Sequence, residues 1–135
     1  MVLSDLYISF CSPEEKGPLI VIITLTALLL CVIVVDMVRK GLLKTARPYD
    51  AIPEIKALWG SPTTPSFPSG HAASSFAAAA SLSRHSNQIR AYIWILAFLI
   101  SASRLYLIFH YPSDIAAGAF IGVLLGISVP KLFRR

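Results

Sequence analysis

Two histidines, His71 and His110, stand among the residue types that phosphoryl transfer requires. His110 is followed by Asp114, and a carboxylate at that distance can orient an imidazole for nucleophilic or acid–base work. The intervening Tyr111-Pro112-Ser113 places His110 just before a helix and Asp114 in its first turn. Plain alternatives exist: an acid near a helix N-terminus is a common stabiliser, and His110 would suit an interface. His71 follows Pro68-Ser69-Gly70. Ser69 is a good N-cap, Gly70 removes bulk, and the free N–H groups of such a start attract an anion. Capping explains Ser69 and Gly70, but not a histidine at the mouth of an apolar helix. Arg104 interrupts an apolar stretch, where an ionisable side chain is costly and marks function unless it snorkels to the interface. Lys40 and Arg47 share a helix face if the first helix continues that far, and otherwise form an ordinary basic helix end. Together these residues make a phosphoryl-transfer set. Lys40, Arg47 and Arg104 offset phosphate charge, one histidine attacks, and the other supplies a proton.

The elements that must position them read as helices. Residues 1–16 form a mixed N-terminal tail, with an interfacial helix expected over 3–10. The first membrane span is expected over 17–38, since no charge falls between Gly17 and Val35 and about 20 apolar residues cross the hydrocarbon core. Residues 39–68 form a Pro-rich active-site loop, with at most a short helix over 53–58. A second span over 69–84 is alanine-rich and short for a crossing. The third is expected over 89–109, broken by Pro112, and the fourth over 112–130. In that last helix Gly118, Gly122 and Gly126 line one face, a small-residue stripe that suits close approach of the alanine-rich helix.

The composition agrees. Of 135 residues, 56% are hydrophobic and 14% charged, against about 45–50% and about 25% in a soluble domain. This excludes a disordered chain, a disulfide scaffold and an ordinary cytosolic domain. The fold class is all-α, an integral membrane bundle of about four transmembrane helices. The net charge of +5 is read as membrane-edge topology and a phosphate clamp, not as nucleic-acid binding. Cys11 and Cys31 show no metal spacing. Four helices put both chain ends on one side. Setting aside Lys40, Arg47 and Arg104 leaves six basic residues on that side and three on the other. The positive-inside rule then places the chain ends in the cytoplasm and the site outside the cell membrane.

Three stretches resemble the signature motifs of the type-2 phosphatidic acid phosphatase superfamily. They are Lys40-x6-Arg47-Pro48, Pro68-Ser69-Gly70-His71, and Ser103-Arg104-x5-His110-x3-Asp114. The superfamily includes lipid phosphate phosphatases, polyprenyl-pyrophosphate phosphatases and vanadium haloperoxidases. The resemblance implies that His110 attacks phosphorus to form a phosphohistidine, that Asp114 holds its ring, and that His71 protonates the leaving group and then activates water. It implies that Lys40, Arg47, Ser69, Gly70 and Arg104 bind the phosphate oxygens, with no metal and no cofactor. Membrane members commonly have six spanning helices, so a small bundle is a candidate to pair with a second copy.

The function expected is hydrolysis of a lipid phosphate or pyrophosphate in the bilayer. A polyprenyl pyrophosphate, undecaprenyl-like, is favoured, with phosphatidylglycerol phosphate and phosphatidic acid as the other substrates. The alternatives are a lipid phosphotransferase using the same site and a non-catalytic membrane subunit. A haloperoxidase is disfavoured, because it would need vanadate.

Overall fold

The computed structural model describes residues 13–41, 45–52, 54, 64–84 and 87–133. The expected interfacial helix over 3–10 lies outside them, as does the short helix over 53–58 apart from Glu54. The described chain is all-helical: α1 (Pro13–Gly41), a single 3₁₀ turn (Pro48–Ala51), α2 (Gly70–Leu82), α3 (Asn87–Tyr106) and α4 (Pro112–Leu132). Three of the four α-helices, α1, α3 and α4, are long and apolar enough to cross a membrane.

α1 extends three residues past the expected end of the first span, so Arg39 and Lys40 sit in its last turn rather than in a loop. Its apolar part, Gly17–Gly41, has 25 residues and rises about 37 Å against a hydrocarbon core of about 30 Å. Its last turns therefore reach the membrane edge. α2, with 13 residues, rises only about 20 Å. It does not stand alone in lipid, because α1, α3 and α4 all pack on it, α4 most extensively. Ala72, Ala73, Ala77, Ala79, Ala80 and Ser81 are buried along it. The large apolar side chains instead point outward from the long helices, as with Leu29 on α1, Phe98 on α3 and Phe120 on α4.

The glycine stripe of α4 lets α2 lie against its backbone. A methyl group at Gly122 would run into the carbonyl oxygen of Ala73 and stand 2.9 Å from Ala77 N. One at Gly126 would meet the Ala77 carbonyl and lie 2.7 Å from Ala80 Cβ. Cys31 and Val35 of α1 close the same core against Ala73 and Ala77. Neither helix can yield without moving its backbone. Gly122→Ala is therefore expected to destabilise the bundle by about 1–3 kcal/mol, the usual cost of overpacking. Thermal unfolding in detergent checks this, with Gly17→Ala as a control because nothing lies within 4 Å of that site.

α3 ends three residues before its expected limit. Phe109 N donates to Arg104 O and Ile108 N to Leu105 O, both at 3.0 Å, the paired closure of a Schellman end. Ile108 occupies the left-handed position at φ 59°, where a β-branched residue is strained. The turn, and not Pro112, stops the helix. Tyr111 is extended before Pro112, as proline requires of its predecessor.

Candidate active site

The ends of α1 and α3 and the starts of α2 and α4 meet at one end of the bundle, around a cavity of about 410 Å³. Its walls include Arg39, Arg47, Arg104, Gly70, His71 and His110, with Cys31, Val32, Val35 and Phe109 on the apolar side. The volume falls within the range of small-molecule sites, about 300–1,000 Å³.

His110 is 4% exposed and Asp114 3%. Asp114 lies in the first turn of α4, where Oδ2 accepts the Tyr111 N–H at 2.9 Å and so closes the helix start. The same oxygen accepts Ser66 Oγ at 2.5 Å and lies 3.5 Å from His110 Nδ1. Ser66 Oγ stands 3.4 Å from that nitrogen. Nδ1 is thus engaged on the side away from the cavity, which leaves Nε2 as the nitrogen to present to a substrate. Ser69 N also donates to Asp114 O at 3.0 Å, tying the start of α2 to the start of α4.

Arg47 precedes Pro48 as His110-Tyr111 precedes Pro112, and both turns use the same device. Asp50 Oδ2 accepts Arg47 N at 3.0 Å, as Asp114 does for Tyr111 N. The Arg47 guanidinium is spread over Thr64 Oγ1 at 3.0 Å and Phe109 O at 3.3 Å. Arg104 lies 6.0 Å above the Phe109 ring, at the limit of a cation–π contact. Among the described residues its Nε has no hydrogen-bond partner and is buried, so the donor is available to an anion.

Burial pushes the proton affinity of His110 below the usual histidine value, and Arg47 adds to this; Asp114 and Ser66 oppose it. The imidazole is therefore neutral near pH 7, the form a nucleophile needs. His71 stands at the exposed start of α2 and shares the cavity wall with Arg39, Arg47 and Arg104.

The structure brings Arg47, Gly70, His71, Arg104 and His110 to the cavity and sets Asp114 behind His110. Ser69 lies beneath, fully buried, its Oγ capping α2 through Ala72 N. Lys40 is exposed and does not line the cavity. The helical pairing expected for Lys40 and Arg47 does not form, because α1 ends at Gly41 and Arg47 belongs to the turn beyond. Val32, Val35, Asp36 and Arg39 recur at helical spacing on the cavity face, and Lys40 stands 100° further round. Arg39, Thr64 and Ser66 were not legible as site residues. Ser66 carried one signal, its place beside the Pro68-Ser69-Gly70-His71 run.

A family model described as the PAP2 superfamily matches residues 18–135. The chain belongs to the PAP2 superfamily. An undecaprenyl-diphosphatase of Sulfolobus acidocaldarius is 35% identical over 104 residues, covering 74% of this chain and 49% of that protein. The chain thus spans about half the length of that curated relative. No solved structure matches. With its long apolar helices, this PAP2 chain is a membrane protein.

Proposed function

We propose that this PAP2 protein hydrolyses a lipid phosphate or diphosphate, with a polyprenyl diphosphate as the favoured substrate. The observation that carries this reading is His110, backed at Nδ1 by Asp114 and Ser66 and facing a cavity shared with Arg39, Arg47, Arg104 and His71. His110 Nε2 attacks the terminal phosphorus. The bridging P–O bond breaks, its electron pair leaves with the lipid, and His71 supplies the proton that the departing oxygen takes. His71 then accepts a proton from water as that water attacks the phosphohistidine, releasing inorganic phosphate and free His110. The guanidiniums hold the phosphoryl oxygens as charge shifts among them.

The apolar wall of Cys31, Val32 and Val35 supports a lipid rather than a soluble substrate, since it places hydrocarbon-compatible surface beside the cations. The likeness to an undecaprenyl-diphosphatase of Sulfolobus acidocaldarius supports the diphosphate. Orientation follows the charge count: with Arg39 in the cavity and Lys40 outside it, six basic residues still face three, which favours cytoplasmic chain ends and an extracytoplasmic site.

Phosphate release from polyprenyl diphosphate, phosphatidylglycerol phosphate and phosphatidic acid tests the reading, in detergent micelles with and without excess EDTA. The expected outcome is release that is fastest on the diphosphate and undiminished by EDTA. Activity lost on chelation and restored by a divalent cation would overturn the metal-independent route. Release from none of the lipids would overturn the function.

A further inference from the structure

We propose that Arg39 holds the second phosphate of a diphosphate substrate, on the leaving-group side of the cavity, and thereby sets a preference for lipid diphosphates over monophosphates. The inference rests on the proposed hydrolysis of lipid phosphates and adds a residue that the sequence motifs do not contain.

Arg39 is anchored rather than waving. Nε and Nη2 both donate to Pro68 O, at 3.2 and 3.0 Å, and the side chain is 17% exposed. This fixes the plane of the guanidinium at the cavity wall. Nη1 lies 4.0 Å from Asp36 Oδ1, beyond hydrogen-bond reach. That edge is available for a better acceptor. Gly70 makes the position attainable, since a methyl group there would stand 3.1 Å from Arg39 Nη2. The guanidinium therefore rests against the start of α2, one residue from His71.

The location gives it a side. Arg39 packs against Gly70, next to His71, whereas Arg47 donates to Phe109 O, next to His110. Arg47 and His110 frame the phosphorus under attack, and Arg39 stands with the acid that protonates the departing oxygen. When the bridging P–O bond of a diphosphate breaks, its electron pair goes to a lipid monophosphate, and the negative charge on that group rises. A fixed guanidinium there stabilises the transition state more than the ground state. A lipid monophosphate leaves as an alcohol and carries no second phosphate for Arg39 to meet.

The test compares kcat/KM of the full chain on polyprenyl diphosphate and polyprenyl monophosphate. Arg39→Gln retains an amide donor for Pro68 O but removes the charge. It is expected to lower kcat/KM on the diphosphate by about tenfold to a hundredfold, the loss of a hydrogen bond to a charged group. Its loss on the monophosphate should be at least tenfold smaller. Arg39→Lys should recover part of the diphosphate rate. Equal losses on the two lipids would mean that Arg39 only braces the Pro68 loop, and no loss on either would mean that it is idle. Both results overturn this inference while the function stands. A wild-type chain that hydrolyses neither lipid would overturn the function, and this inference with it.

Discussion

His110→Ala is expected to lower kcat for phosphate release by at least about 10³-fold, with substrate binding largely kept. The expectation rests on placement. The ring is 4% exposed, and the serine hydroxyls around it are already engaged. Ser66 Oγ is committed to Asp114, and Ser69 Oγ to the start of α2. The arginines would still gather the phosphate, so KM should move far less than kcat. Labelling gives a second readout. With a phosphoryl donor whose leaving group needs no proton, His71→Ala should accumulate acid-labile, alkali-stable phosphoprotein, because the intermediate lacks the base that activates water. His110→Ala should accumulate none. Wild-type turnover in His110→Ala, or label retained in it, would remove His110 from the role of nucleophile.

Much of this site could be read from residue order because its parts sit where helices begin and end. Pro112 and Asp114 announce a helix start, and Ser69 with Gly70 another. The glycine stripe announced the face on which α4 receives α2. What could not be read is set by rotation about an axis. Lys40 and Arg39 are neighbours of like charge, and the seven-residue spacing from Lys40 to Arg47 suggests a shared helical face. That spacing assumed an unbroken helix. α1 ends at Gly41, and the register of Val32, Val35 and Asp36 turns Arg39 inward. Ser66 was hidden for a different reason. A serine in a Pro-rich loop resembles every other loop serine until the fold carries it to Asp114, 48 positions away in the chain. The end of α3 was misplaced because proline is a visible stop signal, while a left-handed isoleucine is an invisible one: Ile108 takes a conformation that its side chain disfavours.

That strained turn has a use. It reverses the chain over Leu107, Ile108 and Phe109, so that Phe109 O receives Arg47 Nη1 while the Phe109 ring sits edge-on to Tyr49, 5.7 Å away. Arg47 and His110 are thus joined through one residue. α2 contributes rigidity of another kind. Its alanines and the facing glycines leave no slack between backbones, so the N-terminus that carries His71 is fixed relative to the N-terminus that carries Asp114. Positional precision of this sort matters, because a displacement of about 1 Å at a reacting group can cost about a hundredfold in rate.

Asp114→Asn is expected to lower kcat by about 10²–10⁴-fold with KM little changed. The range is that of removing a carboxylate that orients a catalytic imidazole. Asparagine can still accept the Tyr111 N–H with one oxygen, so the start of α4 should survive. It cannot offer a carboxylate to both Ser66 Oγ and His110 Nδ1. The ring loses the anion that favours the Nδ1–H tautomer and that stabilises positive charge as Nε2 attacks. The pH profile separates this role from simple capping. In the wild type, burial and Arg47 lower the proton affinity of His110 while Asp114 raises it. Removing the carboxylate removes a raising influence, so the affinity falls further. His110 must be neutral to attack, and activity is lost as pH drops through its pKa. The acidic limb of kcat/KM for Asp114→Asn should therefore move to lower pH, even as the plateau falls. A limb that moves to higher pH would mean that the carboxylate does not face the imidazole. A loss expressed as KM rather than kcat, with the limb unmoved, would leave Asp114 as a helix cap alone.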